Sequence, residues 1–116
     1  MPGRRIPSGS LARVAFADGR LELEGRITVE TVMALDRQVR ARLAGATAAN
    51  LQSVTFMDSA GVALLVEWKR LATRSGRELS FLNVPDQAMA IARLSNALGV
   101  LGFGSDERKR RGSGAA

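Results

Sequence analysis

The chain contains no cysteine, no histidine and no tyrosine, and it has only one tryptophan and three prolines. Each absence removes a class of chemistry. Without cysteine there is no disulfide framework and no hint of an oxidising compartment. Without cysteine or histidine, the usual zinc sites, thiol nucleophiles and Ser-His-Asp catalysis are excluded. No phenolic acid is available. The phosphate loop G-x-x-x-x-G-K-[ST] is missing, as is G-x-G-x-x-G after a strand. Catalysis would have to rest on carboxylates, lysine or serine alone, so a binding role is expected, with no cofactor and no metal.

Long apolar runs are missing too. None reaches the ~18 residues of a membrane span. Arg4 and Arg5 are not followed by an apolar stretch, so no secretory signal is read, and a cytoplasmic location is expected. The net charge of +6 invites a nucleic-acid reading, but its distribution argues against one. Arg4, Arg5, Arg108, Lys109, Arg110 and Arg111, with Asp106 and Glu107, put +4 in the two tails and leave +2 for the body. A dispersed +2 is no phosphate-tracking groove. Four Phe and one Trp, mostly in core-like positions, offer no platform for stacking bases.

What is present fits one domain. A chain of 116 residues with 46% apolar content can build a single core. Residues 1–10 hold Pro2 and Pro7 with Gly and Ser and read as a loose arm; residues 11–104 read as the domain and 105–116 as a charged, disordered tail. Leu11 to Phe16 and Arg20 to Glu24 read as strands around the turn dipeptide Asp18-Gly19. Thr28 is placed as a helix N-cap. Val32, Leu35, Val39 and Leu43 then mark a helical stripe ending near Gly45. Ala48 to Met57 reads as a strand interrupted by Asn50, Gln52 and Ser53. A second helix runs from Ser59 to about Arg74 and stops at Ser75-Gly76. Leu79 to Val84 reads as a strand, Pro85 as the first position of a short helix, and Val100 to Phe103 as a last strand or packed tail. The order implies an α/β fold, a mixed sheet of four to five strands against about three helices. The strands flanking the second helix should be parallel.

The chain is organised around Phe56-Met57-Asp58-Ser59-Ala60-Gly61-Val62-Ala63-Leu64-Leu65, where an apolar strand passes directly into a helix. Asp and Ser are the residue types that cap orphan N–H groups at a helix start. Gly61 in the first turn lets a neighbouring surface come close. On a wheel of 3.6 residues per turn, Gly61, Leu64, Leu65, Trp68, Leu71 and Ala72 share the expected core side. Ser59, Val62, Ala63, Val66, Arg70 and Thr73 fall opposite, a small apolar patch with a hydroxyl at its edge. A surface helix normally turns a polar back to water. Two explanations stand open: Val62, Ala63 and Val66 pack under another element of the domain, or a partner covers them.

Asp58-Ser59-Ala60-Gly61, between a β-rich run and a Leu-rich helix, resembles the signature of STAS domains, which include the anti-sigma-factor antagonists. The fuller run Val54 to Trp68, with Asn83-Val84-Pro85 downstream, looks closest to the MlaB branch, over roughly residues 11–103. That resemblance implies a STAS-like α/β domain. It also implies a non-enzymatic cytoplasmic subunit that binds the MlaF-like ATPase of an ABC-type phospholipid transporter, in complex with its permease. The resemblance implies a contact at Ser59 beside the turn of Asp58 and Thr28; with the outward side of the wheel, the expected contact residues are Thr28, Asp58, Ser59, Val62, Ala63, Val66 and Arg70. In antagonists the residue matching Ser59 is phosphorylated by a partner anti-sigma kinase, which is the alternative role. Many antagonists carry an acidic residue where this chain has Thr28, and that departure favours the MlaB branch.

Overall fold

The structure, a computed structural model, describes residues 11–95. The expected arm, the charged tail and the expected last strand at Val100 to Phe103 lie outside them. The elements follow in the order β1 (Ala12–Ala17), β2 (Arg20–Ile27), α1 (Val32–Arg40), β3 (Ala48–Met57), α2 (Ser59–Arg74), β4 (Ser80–Leu82) and α3 (Asp86–Leu94), with a one-turn 3-10 helix at Leu43–Gly45. Asp18 and Gly19 both take positive φ, 53° and 76°, as a two-residue hairpin turn requires. β1 and β2 therefore pair antiparallel, from Ala17 opposite Arg20 to Ala12 opposite Gly25. β2–β3 and β3–β4 are parallel, giving a four-stranded mixed sheet in the order β1-β2-β3-β4. α1 and α2 are the crossovers that parallel pairing demands.

All three helices lie on one face, and the core forms there. Leu21, Leu23 and Ile27 from β2, Ala49, Leu51, Val54 and Met57 from β3, and Phe81 from β4 meet Leu35, Val39, Leu65, Trp68, Ala72, Ala88 and Ala92. β3 keeps that face despite its polar residues because it is bulged. Between Glu22 and Glu24 the partner register advances from Asn50 to Ser53, and between Gly25 and Arg26 from Val54 to Phe56. Each step inserts one extra residue and resets the alternation, so Leu51, Val54 and Met57 all point inward. Asn50 stitches the first bulge. Its Oδ1 accepts from Gln52 N at 3.1 Å and from Asn83 Nδ2 at 2.8 Å, and its Nδ2 donates to Glu22 Oε1 at 2.8 Å.

The other face of the sheet is open and polar, and its charges are matched locally. Arg13 pairs with Glu24 at 2.8 Å, Arg20 with Glu22 at 2.7 Å, and the Arg26 guanidinium lies over the Phe56 ring at 4.4 Å. The Arg20 hydrogen bond, then that of Asn50, holds the Glu22 carboxyl below its ordinary range. Between the helices, the buried Trp68 donates its indole N–H to Asp36 Oδ1 at 2.8 Å, while Arg40 Nε lies 3.0 Å from both Asp36 oxygens.

Two helix starts differ from expectation. α1 begins at Val32, with Thr31 rather than Thr28 in the N-cap position, and Pro85 is the N-cap of α3, not its first helical residue. Its extended ψ of 148° is outside helical range, and Asp86 supplies the acidic first-turn residue. β4 is shorter than read, because Asn83 adopts φ 55° and ends it. Among the described residues no helix is long and apolar enough to cross a membrane.

Two outcomes follow. Trp68→Phe keeps most of the ring volume but removes the indole donor to Asp36, and should destabilise the domain by about 1–3 kcal/mol in urea unfolding. Glu22 has a depressed folded pKa, so its stabilisation is present above the unfolded carboxylate range and lost as pH falls through the folded value. Glu22→Gln should flatten the acid limb of the urea midpoint between about pH 5 and 3; an unchanged limb would show that Glu22 does not contribute.

Candidate functional site

The site is the end of the sheet where β2 and β3 finish side by side, Ile27 opposite Met57, and hand over to two helices. Asp58 follows with extended φ and ψ of −102° and −172°, the N-cap geometry of α2. Its Oδ1 accepts from Gly61 N at 3.0 Å. Its Oδ2 reaches across and accepts from Val29 N at 3.1 Å, and its own N–H donates to Ile27 O at 3.3 Å. One side chain thus caps α2 and fixes the segment leading into α1.

Gly61 makes that approach possible. A Cβ there would lie 2.5 Å from Ile27 O and 2.6 Å from Met57 Cγ, both closer than such contacts allow. The close approach expected of Gly61 is therefore made by the protein's own β2 end.

The segment 28–31 is a compact turn. The Thr28 carbonyl accepts from Thr31 N and Val32 N, both at 2.9 Å. The Thr31 hydroxyl donates to Arg26 O at 2.8 Å and accepts from Thr28 N at 3.0 Å. It faces backward and makes no side-chain cap to α1. The Thr28 hydroxyl accepts from Glu30 N at 3.3 Å, and the residue is buried. Thr28 thus shapes the turn from behind instead of capping α1 or facing outward. The turn pushes Val29 out to 69% exposure and Met33 to 74%, two of the three exposed large apolar residues among those described. The periodicity reading missed both. Their signal was available: they fall four apart, off the Leu35/Val39 stripe, on a side that should be polar.

Ser59 occupies the first position of α2 and is exposed; its hydroxyl makes no hydrogen bond among the described residues. Ala63 and Arg70 share its exposed side. Val62 does not. It is 3% exposed, inside the core cluster, and Val66 is half-buried against that cluster. This corrects the expected wheel, in which both faced outward. The physical reason is that α2 is flanked on both sides. α1 meets it through Trp68–Asp36 and Glu67–Arg40, while the flank roughly 120° round from Trp68, carrying Val62, turns toward α3. Leu64 and Leu71, expected in the core, are only half-buried on the α1 side. The outward strip of α2 narrows to Ser59, Ala63, Arg70 and their neighbours.

Chemically, this site offers a free hydroxyl, small and apolar side chains and guanidinium groups. Among the described residues no three carboxylates gather as a metal site. Asp58 is half-buried with both oxygens engaged, so it positions its neighbours and is not itself a free contact.

A family model described as "Mlab, STAS domain" matches residues 11–102. Among solved structures, the chain resembles the Bacillus cell fate determinant SpoIIAA in its phosphorylated form, at 15% identity and a TM-score of 0.58, over 74% of this chain and 84% of that one. The anti-sigma factor antagonist SpoIIAA in its unphosphorylated form gives 15% identity and a TM-score of 0.59, over 74% and 81%. At that identity the likeness is one of fold. No curated protein sequence matches the chain.

Asp58→Ala removes the cap and the tether together. It should cost about 1–3 kcal/mol in unfolding free energy and speed amide exchange at Val29 and Gly61 while the β2–β3 core stays protected. Uniform loss of protection, or none at Val29, would contradict the tether.

Proposed function

The chain belongs to the MlaB-type STAS domain family, and on that premise we propose that it is a non-enzymatic module that binds the ATPase of an ABC-type phospholipid transporter. The observation that carries this is the exposed Ser59 hydroxyl, flanked by exposed Ala63 and Val29, on a start of α2 that Asp58 holds rigid. A side chain held by the helix itself, on a regular element, loses little freedom when a partner covers it.

The docking strip is Ser59, Ala63 and Arg70, with Val66 at its edge. Asp58 and Thr28 act from behind, by fixing the two segments that shape the strip. Val62 supports it from the core. In this reading the module stabilises the assembly or activity of the ATPase, and ATP belongs to the partner. The protein works in the cytoplasm, held at the inner membrane through that ATPase and its permease. The process served is phospholipid transport that maintains outer-membrane asymmetry.

A second reading, an antagonist that captures an anti-sigma kinase and is released by phosphorylation of Ser59, has its own support. Ser59 is exposed and stands at a helix N-terminus, and one of the similar folds is a phosphorylated form. A phosphate there gains about 0.3–1 kcal/mol from the helix dipole. Covering that dianion beside Asp58 under a partner costs on the order of several kcal/mol. Modification would therefore release a partner, whichever partner it is.

Ser59→Asp should lower affinity for the purified ATPase by roughly tenfold or more while leaving the urea midpoint within about 0.5 kcal/mol of wild type. Unchanged affinity contradicts the strip. Incubation with a cognate anti-sigma kinase and ATP separates the readings, since absence of phosphate on Ser59 removes the second.

A further inference from the structure

The outward surface shared by α1 and α2 changes character along its length. At the start of the two helices Val29 is 69% and Met33 74% exposed, with exposed Glu30 between them in the chain; Val29 N is bonded to Asp58, which precedes exposed Ser59. Further along the surface is basic. Arg40 lies 3.0 Å from Asp36 and 3.7 Å from Glu67, and so engages the two carboxylates set between the helices. Arg37, Arg70 and Arg74 are exposed and form no ion pair among the described residues. Arg13, Arg20 and Arg26 behave differently: on the open face of the sheet each is matched by a carboxylate or a ring. Positive charge is thus answered locally on the sheet face and left unanswered on the α1–α2 face.

Helical spacing groups these residues within each helix. Met33, Arg37 and Arg40 recur at i, i+4 and i+7 on the side of α1 away from Leu35 and Val39; Ser59, Ala63, Arg70 and Arg74, at i, i+4, i+11 and i+15, share the side of α2 away from Leu65 and Ala72. The contacts Asp36–Trp68 and Arg40–Glu67 hold the two helices side by side.

We infer that the partner docked on this module presents an apolar socket for Met33 and Val29, bordered by a row of carboxylates facing Arg37, Arg70 and Arg74. The inference rests on the docking reading above and adds the partner's chemistry. Met33 is the anchor, because an unbranched thioether adapts its shape to a socket and loses its water there. The three guanidinium groups are the rim. Exposed charges of this kind steer encounter and set register more than they add affinity. The separation of an apolar end from a basic end also fixes orientation, since a partner turned end for end would set its carboxylates against Met33 and Val29. An RNA partner would need aromatic platforms, and neither row carries one.

The test measures association of the full chain with the purified transporter ATPase at 50 and 500 mM salt. The triple variant R37E/R70E/R74E should bind about tenfold or more weakly at low salt, through slower association, and within about threefold of wild type at high salt. Met33→Gln should weaken binding at both salt concentrations by a similar factor, through faster dissociation. Arg93→Glu on α3, the control, should match wild type. All variants should unfold at the wild-type urea midpoint. Binding of the triple variant within twofold of wild type at low salt overturns the inference and leaves the docking reading standing. Binding of wild type to vesicles rich in anionic phospholipid, lost in the triple variant, overturns it in favour of a membrane surface. Failure of the wild type to bind the ATPase at either salt removes the docking reading and the inference with it.

Discussion

The Asp58 carboxylate accepts from two backbone N–H groups that belong to different parts of the chain. One is Gly61, in the first turn of α2, and the other is Val29, beyond the end of β2. Hydrogen bonds to an ionised acceptor are roughly twice as strong as neutral ones, so this pair outweighs an ordinary cap. The arrangement works only because Gly61 has no side chain where Ile27 O and Met57 Cγ come close. Asp58 and Gly61 are therefore one device. They lock the ends of two parallel strands to the starts of two helices, and Ser59 and Val29 stand exposed on the locked surface.

Around that device the molecule divides its polar groups into two populations. Those on the open face of the sheet satisfy one another: Asn50 ties Glu22, Gln52 and Asn83 together, and Arg13 and Arg20 have carboxylates at ion-pair distance. Such pairs contribute little stability each, but they leave no unmatched field for a partner to read. On the α1–α2 face, the inner groups are matched by Trp68, Asp36, Arg40 and Glu67, and the outer ones are not. The helices that cover the core thus also carry the guanidinium groups of Arg37, Arg70 and Arg74, which are unpaired among the described residues. An interface on regular elements keeps its geometry, whereas one on loops would have to be ordered on binding.

Local chemistry made most of this legible from sequence. The hairpin followed from Asp18-Gly19, the α2 start from Asp58, and its stop from Ser75-Gly76, where Gly76 takes φ 73° and Arg77 N bonds back to Ala72 O at 2.9 Å. The resemblance carried by Asp58-Ser59-Ala60-Gly61 led to the right fold because those residues encode the strand-to-helix lock itself. Tertiary context decided what sequence could not. Thr28 and Thr31 are both good capping types in one turn, and bonds to the Arg26 carbonyl and the Thr28 N–H turn the Thr31 hydroxyl backward. The position of Val62 depends on a third helix along one flank of α2, which widens the buried arc beyond what a two-layer packing gives. Val29 and Met33 were hidden for the converse reason. A periodicity reading records the apolar residues that fit a stripe, and the informative ones here are those that do not.

Under the proposed function a partner sits on the locked start of α2 and the adjoining turn into α1. The most direct measurement is backbone amide NMR of the isotope-labelled chain during titration with the unlabelled ATPase. Signals of Val29, Met33, Ser59, Ala63 and Arg70 should broaden first, while those of Arg13, Glu22, Asn50 and Ser80 on the open sheet face stay unchanged. Perturbation centred on the sheet face or on the β1 edge, with the Ser59 region silent, would contradict the account.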